Sequence, residues 1–170
     1  NGDAVSTRVG VNGLVTNAFG FLVAGGWAST VFANGDDFDS FVAQAEARFY
    51  LTAPPRKEDE PGLYPTTITL GYTRDWTQSY IGNFYQRDRG YANLSYFFNG
   101  IVLANVGGGV ARIHFPSTAY AGGAAGSRAG AFNNTAVDAS FFLEYRVTRN
   151  VGINGTATYT QMISDTILPT

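Results

Sequence analysis

The chain contains no cysteine. That absence removes disulfides, thiolate metal sites and thiol nucleophiles together. Charge is also scarce. Eleven Lys+Arg and 13 Asp+Glu give a formal net charge of -2 and a charged fraction of 14%, against about 25% in an ordinary soluble domain. No basic field for nucleic acid is present, so none is expected as a partner. One histidine and scattered carboxylates make no ligand set, so neither a metal nor another cofactor is expected. No apolar run approaches the roughly 18 to 20 residues of a membrane-spanning helix. The opening "NGDAVSTRV" does not read as a signal peptide.

Glycine and aromatics are abundant instead, with 21 glycines and 15% aromatic residues. Few charges with many aromatics and glycines suit a sheet whose outer face meets lipid better than a water-exposed surface. Length allows a single domain over residues 1–170 with its own core.

Period-two alternation dominates the chain. In "VDASFFLEYRVTRNVGINGTATYTQ" the apolar set Val137, Ala139, Phe141, Leu143, Tyr145 and Val147 opposes Asp138, Ser140, Phe142, Glu144, Arg146 and Thr148. After a Thr-Arg-Asn turn the alternation resumes, with Val151, Ile153, Ala157 and Tyr159 against Asn154, Thr156, Thr158 and Thr160. This is a β-hairpin with one oily and one wet face. Eight such segments are predicted, near 5–16, 19–32, 38–52, 66–78, 84–98, 101–115, 135–148 and 151–163. The sixth changes face near "VGGG", which predicts a β-bulge. Tight turns are expected at 16–18, 99–100 and 148–150. Longer loops are expected at 34–37, 79–83 and 116–134, and a charged, proline-rich one at 53–65.

The alternative is a soluble β-sandwich, whose oily faces pack on each other. Dense Thr, Asn and paired charges on the wet faces argue otherwise, as do aromatics near strand ends such as Phe49, Trp76, Tyr96 and Tyr145. A polar interior inside a lipid-facing band edged by aromatics is the pattern of an outer-membrane barrel. The fold expected is therefore all-β, an antiparallel up-and-down transmembrane barrel. About eight of its strands lie here, as an interior segment of a larger barrel.

Alternation assigns Arg8, Gln44, Glu46, Arg48, Thr73, Asp75, Arg87, Arg89, Tyr91, Asn93, Asp138, Glu144, Arg146 and Asn154 to the interior. It assigns Val9, Phe41, Ala45, Leu70, Leu94, Phe141, Leu143 and Ile153 to lipid, with Arg74 pointing outward near the rim. Arg87 and Arg89 are both expected close to Asp75. These charges could be a scaffold that fixes the wall, or a surface for a passing polar solute. His114 and Ser117 in "RIHFPST" could form the His–Ser pair of a lipid-modifying barrel enzyme, but no third partner is visible. "NVGGG" lacks the strand–loop–helix context of a phosphate loop.

The stretches "GYTRDWTQSYIGNFYQRDRGYANLSYFF" and "FFLEYRVTRNVGINGTATYTQMISD" together resemble the outer-membrane β-barrel porins encoded with exopolysaccharide secretion systems. The shared features are an aromatic–Arg–Asp strand, a short Ser/Gly/Asn loop, a Tyr/Arg/Asp strand, and a Tyr-Arg-x-Thr-Arg-Asn hairpin. The resemblance covers the second half of the chain and carries no catalytic residues. It implies a bacterial outer-membrane location, contact with outer-membrane lipid, and a non-catalytic conduit for polysaccharide or polar solutes. Partners would come from a secretion system or surface complex. A plugged docking barrel is the other non-enzymatic expectation.

Overall fold

The computed structural model describes residues 2–32, 38–52, 66–78, 84–98, 101–115, 118–119, 128–129, 131–148 and 151–164. All regular structure among them is β. The strands are β1 (Gly2–Thr16), β2 (Phe19–Phe32), β3 (Phe38–Thr52), β4 (Thr66–Gln78), β5 (Phe84–Phe98) and β6 (Val102–Phe115). The short β7 (Thr118–Ala119) and β8 (Arg128–Ala129) follow, then β9 (Phe132–Arg146) and β10 (Gly152–Ser164). Eight of them form one antiparallel up-and-down sheet in the order β1-β2-β3-β4-β5-β6-β9-β10. The sheet is open, because no ladder joins β1 to β10 among the described residues.

The eight alternating segments are thus eight neighbouring strands, with small shifts at their ends. β9 starts at Phe132, three residues before the predicted 135. The expected 116–134 loop is also interrupted by the β7–β8 pair, Thr118 opposite Ala129. Those two-residue strands are too short to show a period. The 16–18 turn is closed by Ala18 N–H donating to Thr16 Oγ1 at 3.2 Å, and Thr148 N–H donates to the Val151 carbonyl across the last turn at 3.1 Å. The loops at 34–37, 53–65 and 79–83 and the 99–100 turn lie outside the described residues.

The predicted bulge in β6 is absent. Both of its ladders run without a break through Gly107, Gly108 and Gly109. Irregular register occurs instead at Leu14/Thr16 and Tyr50/Thr52. What changes along β6 is the environment and not the backbone. Asn105 and Ala111, Ile113 and Phe115 share one face, yet the last three are buried. Phe115 stacks on Phe132 at 4.6 Å and meets Tyr85 at 5.4 Å. The apparent change of face is a polar strip running into an apolar patch on the same side of the sheet.

Trp76 also departs from simple alternation. The β3–β4 ladder ends at Ala43 opposite Arg74. Beyond it Trp76 and Phe84 pack on the buried Ala28 and Val42, which share the face of Glu46. Once β4 leaves β3, strand parity no longer decides what its side chains touch.

Candidate functional site

Antiparallel register puts directly opposed residues on the same face. One row runs Asn12, Leu22, Glu46, Gly71, Tyr91, Gly109, Asp138, Thr160 across all eight strands. A neighbouring row contains Gln44, Thr73 and Arg89, and others hold Arg48 with Asn93, and Glu144 with Asn154. Asp75 opposes Arg87, Arg8 opposes Gly26, and Arg146 opposes Gly152. All the residues assigned to the interior therefore share one face, here called the polar face.

The long side chains of β5 reach over glycines on the adjacent strands. Tyr91 Oη donates to Glu46 Oε1 at 2.7 Å, passing over Gly71, where a Cβ would collide with the tyrosine ring. In the other direction Arg89 donates to both Asp138 oxygens, at 3.1 and 2.6 Å. A Cβ at Gly109 would lie 2.9 Å from Arg89 Nε. Arg87 makes the expected bidentate pair with Asp75, at 3.0 and 2.7 Å. The expectation that Arg89 also sits by Asp75 is corrected. Its cross-strand neighbour on β4 is Thr73, and Gly109 opens the path to β9.

Glu46 is the most connected carboxylate. It also accepts from Gln44 at 2.9 Å and from Arg48 at 3.0 and 2.5 Å. Glu144 accepts from Arg146 at 2.9 Å, and that guanidinium lies over the Phe97 ring at 5.0 Å. Four arginines are thus matched to four carboxylates. Such partly exposed pairs are worth about 0 to 1 kcal/mol each in water. Their main effect is to fix long side chains in place and leave the centre of the polar face neutral. Arg8, on β1, has no ion-pair partner among the described residues.

The glycines that admit these side chains went unassigned from sequence. Their signal is spacing: Gly107 and Gly109 share a face, opposite Asn93 and Tyr91, Asn93 occupies the space above Gly107, and Arg89 reaches diagonally over Gly109.

The opposite face is apolar and exposed. Val9, Phe41, Leu70, Leu94, Phe141, Leu143 and Ile153 are all open there. Ala45 shares that face and is half-buried. Arg74 is on it too, 3.8 Å from Asp88. His114 is there as well, its Nδ1 2.8 Å from Asn133 Oδ1, while Ser117 lies outside the described residues. The described residues hold no cluster of three or more metal-ligating side chains. No family model, curated protein or solved structure matches the chain.

Proposed function

We propose that this sheet is the wall of a transmembrane β-barrel in the bacterial outer membrane, acting as a non-catalytic, porin-like conduit. Polar solutes would pass along the polar face, with polysaccharide the solute implied by the family resemblance. One observation carries the reading: burial is inverted relative to a soluble sandwich. The buried apolar residues Ala28, Val42, Ala111, Ile113 and Phe115 all lie on the polar face. Most of the exposed large apolar side chains lie on the other face, with Val9 at 77% and Ile153 at 67%. Among the exposed large apolar residues of the ladders, only Leu14 and Met162 lie on the polar face.

An apolar face of this extent needs a nonaqueous partner. From Val137 in β9 to Val147 just past its end it spans about 33 Å of chain, or ~25 Å at the usual barrel tilt. That height matches the apolar band of an outer-membrane barrel. In lipid the free edges of β1 and β10 would need strand partners, since unpaired backbone groups are costly there. Further strands completing the wall would supply them.

The mechanism is passive. Neutral paired charges with Thr, Asn and Tyr offer hydrogen bonds to a hydrated solute without trapping an ion. The buried patch around Ile113 and Phe115 favours a second reading, a constricted or plugged barrel used for docking. Planar-bilayer conductance separates the two, open steps supporting the conduit and silence the plug. The absence of cysteine makes single-cysteine scanning clean. Phe141→Cys should react with lipid-soluble probes only, and Asn154→Cys with water-soluble ones. Phe141→Cys shielded from both kinds of probe, with Asn154→Cys open to water-soluble ones, would restore the soluble sandwich.

A further inference from the structure

We propose that the outward row Arg74–Asp88–Arg112, at one end of the apolar face, binds the phosphate of an anionic lipid headgroup. The inference rests on the membrane reading above and adds a ligand to it. Register places Arg74 opposite Asp88 and Asp88 opposite Arg112, on three consecutive strands. The two arginine backbones are then about 10 Å apart, at two strand spacings.

Asp88 is already well supplied with donors. Tyr72 Oη donates to it at 2.6 Å and Gln86 Nε2 at 3.2 Å, and Arg74 Nη1 lies 3.8 Å away. Two arginines therefore share a row with one carboxylate, unlike the four matched pairs on the polar face. Arg112 is exposed and has no ion-pair partner among the described residues. Arg74 Nε is buried and unpartnered, an orphan donor beside the surplus charge. His114 opposes Gln86 on the adjoining row and commits only Nδ1, to Asn133.

Directly alongside, the same face turns apolar through Val110 and Val137. A headgroup phosphate at the arginines would place its acyl chains along that surface. Guanidinium suits the task, since it is always charged and binds phosphate through paired N–H donors. Its alkyl stem can lie on the apolar surface while the head meets the interface.

The test uses the full chain folded in micelles containing equal phosphatidylglycerol and phosphatidylcholine, with retained lipids counted by native mass spectrometry. Retained phosphatidylglycerol should exceed phosphatidylcholine about fivefold, the scale of one arginine near an anionic surface. Arg112→Gln should bring the ratio close to one, and Arg112→Lys should keep part of the preference. Arg8→Gln removes an unpaired cation from the opposite face and should change nothing. No preference in the parent chain, or equal loss in Arg8→Gln, would overturn the site. Full displacement by excess inorganic phosphate would mark a free-anion site and overturn the lipid assignment. Flotation with pure phosphatidylcholine vesicles separates the two levels. A chain that floats but shows no headgroup preference loses only this site, whereas one that does not float loses the membrane reading with it.

Discussion

β5 and β10 are alternating strands of similar length in the same sheet, yet they use their polar faces differently. On β5, Arg87, Arg89 and Tyr91 are all bonded to other strands, reaching as far as Glu46 and Asp138. On β10, Asn154, Thr156, Thr158 and Thr160 are exposed, and no hydrogen bond holds their side chains among the described residues. Long side chains beside glycines make a fixed wall, while short ones leave a wettable strip. The apolar faces of the two strands do not differ in this way. Leu94 and Ala157 lie in one cross-strand row through Val106 and Phe141.

The largest effect should therefore come from the shared face. Arg placed at Leu94, Phe141 or Ala157 should cost about 2–4 kcal/mol near the midplane of a bilayer. Denaturant titration in lipid vesicles measures it. An exchange of Asn154 to Ser should stay within about 0.5 kcal/mol. A large cost at Leu94 with none at Ala157 would mean that β10 does not meet lipid, and the two strands would differ on both faces.

Glycine substitution sharpens the contrast next. Gly71→Val would push Tyr91 away from Glu46, and overpacking of this kind costs about 1–3 kcal/mol. At Gly155, on β10, an added Cβ would enter open space, with nothing within 4 Å. Gly155→Val should be neutral or slightly stabilising, because a strand gains from a β-branched residue. Thermal or denaturant midpoints of the two variants, compared side by side, decide whether glycine at 71 is there for room.

Much of this contrast was legible in the sequence, because alternation is local. Period two needs only the next few residues, so Glu144 and Phe141 could be assigned to opposite faces without knowing any neighbour. What needed neighbours was missed. Arg89 finds Asp138 across β6, and that depends on strand order and on Gly109 together. The burial of Ile113 and Phe115 depends on neighbouring strands, as where Tyr85 and Phe132 meet Phe115, and alternation does not carry that. It appeared in the sequence as a false bulge. Trp76 reads from the sequence as an aromatic near a strand end, and its contact with Ala28 and Val42 arises where β4 has left its partner. Arg112 drew no attention because nothing adjacent in sequence shows that Arg74 and Asp88 share its row.

A double-mutant cycle tests whether β5 is truly fixed. Arg89 and Asp138 are each less than a third exposed and make two short hydrogen bonds. Their coupling energy should be about 1 kcal/mol, the upper end for partly exposed pairs. The cycle uses Arg89→Ala, Asp138→Ala and the double variant, read by unfolding in vesicles. Zero coupling would reduce the β5 ladder to adjacent polar groups, and its difference from β10 to one of side-chain length.

The smallest effect should be electrical. Asp75→Ala leaves Arg87 without its bidentate partner and adds one net positive charge beside the paired Arg48 and Arg89. The fold should persist, because the pair is partly exposed and its net worth is small. Ions passing the wall would still meet the added charge, since a lumen ring or patch of one sign biases permeation more than it alters stability. Reversal potentials under a salt gradient should shift toward anions in Asp75→Ala. Thr158→Asp, on the unpaired strip of β10, should shift them toward cations. The pair of variants matters because each region is changed by one charge of opposite effect. Opposite shifts mean that both strands line the same water-filled path. A shift in Thr158→Asp alone would place the path along β10 and leave the β5 network as scaffold. Unchanged potentials in both would remove the conduit and favour the plugged barrel.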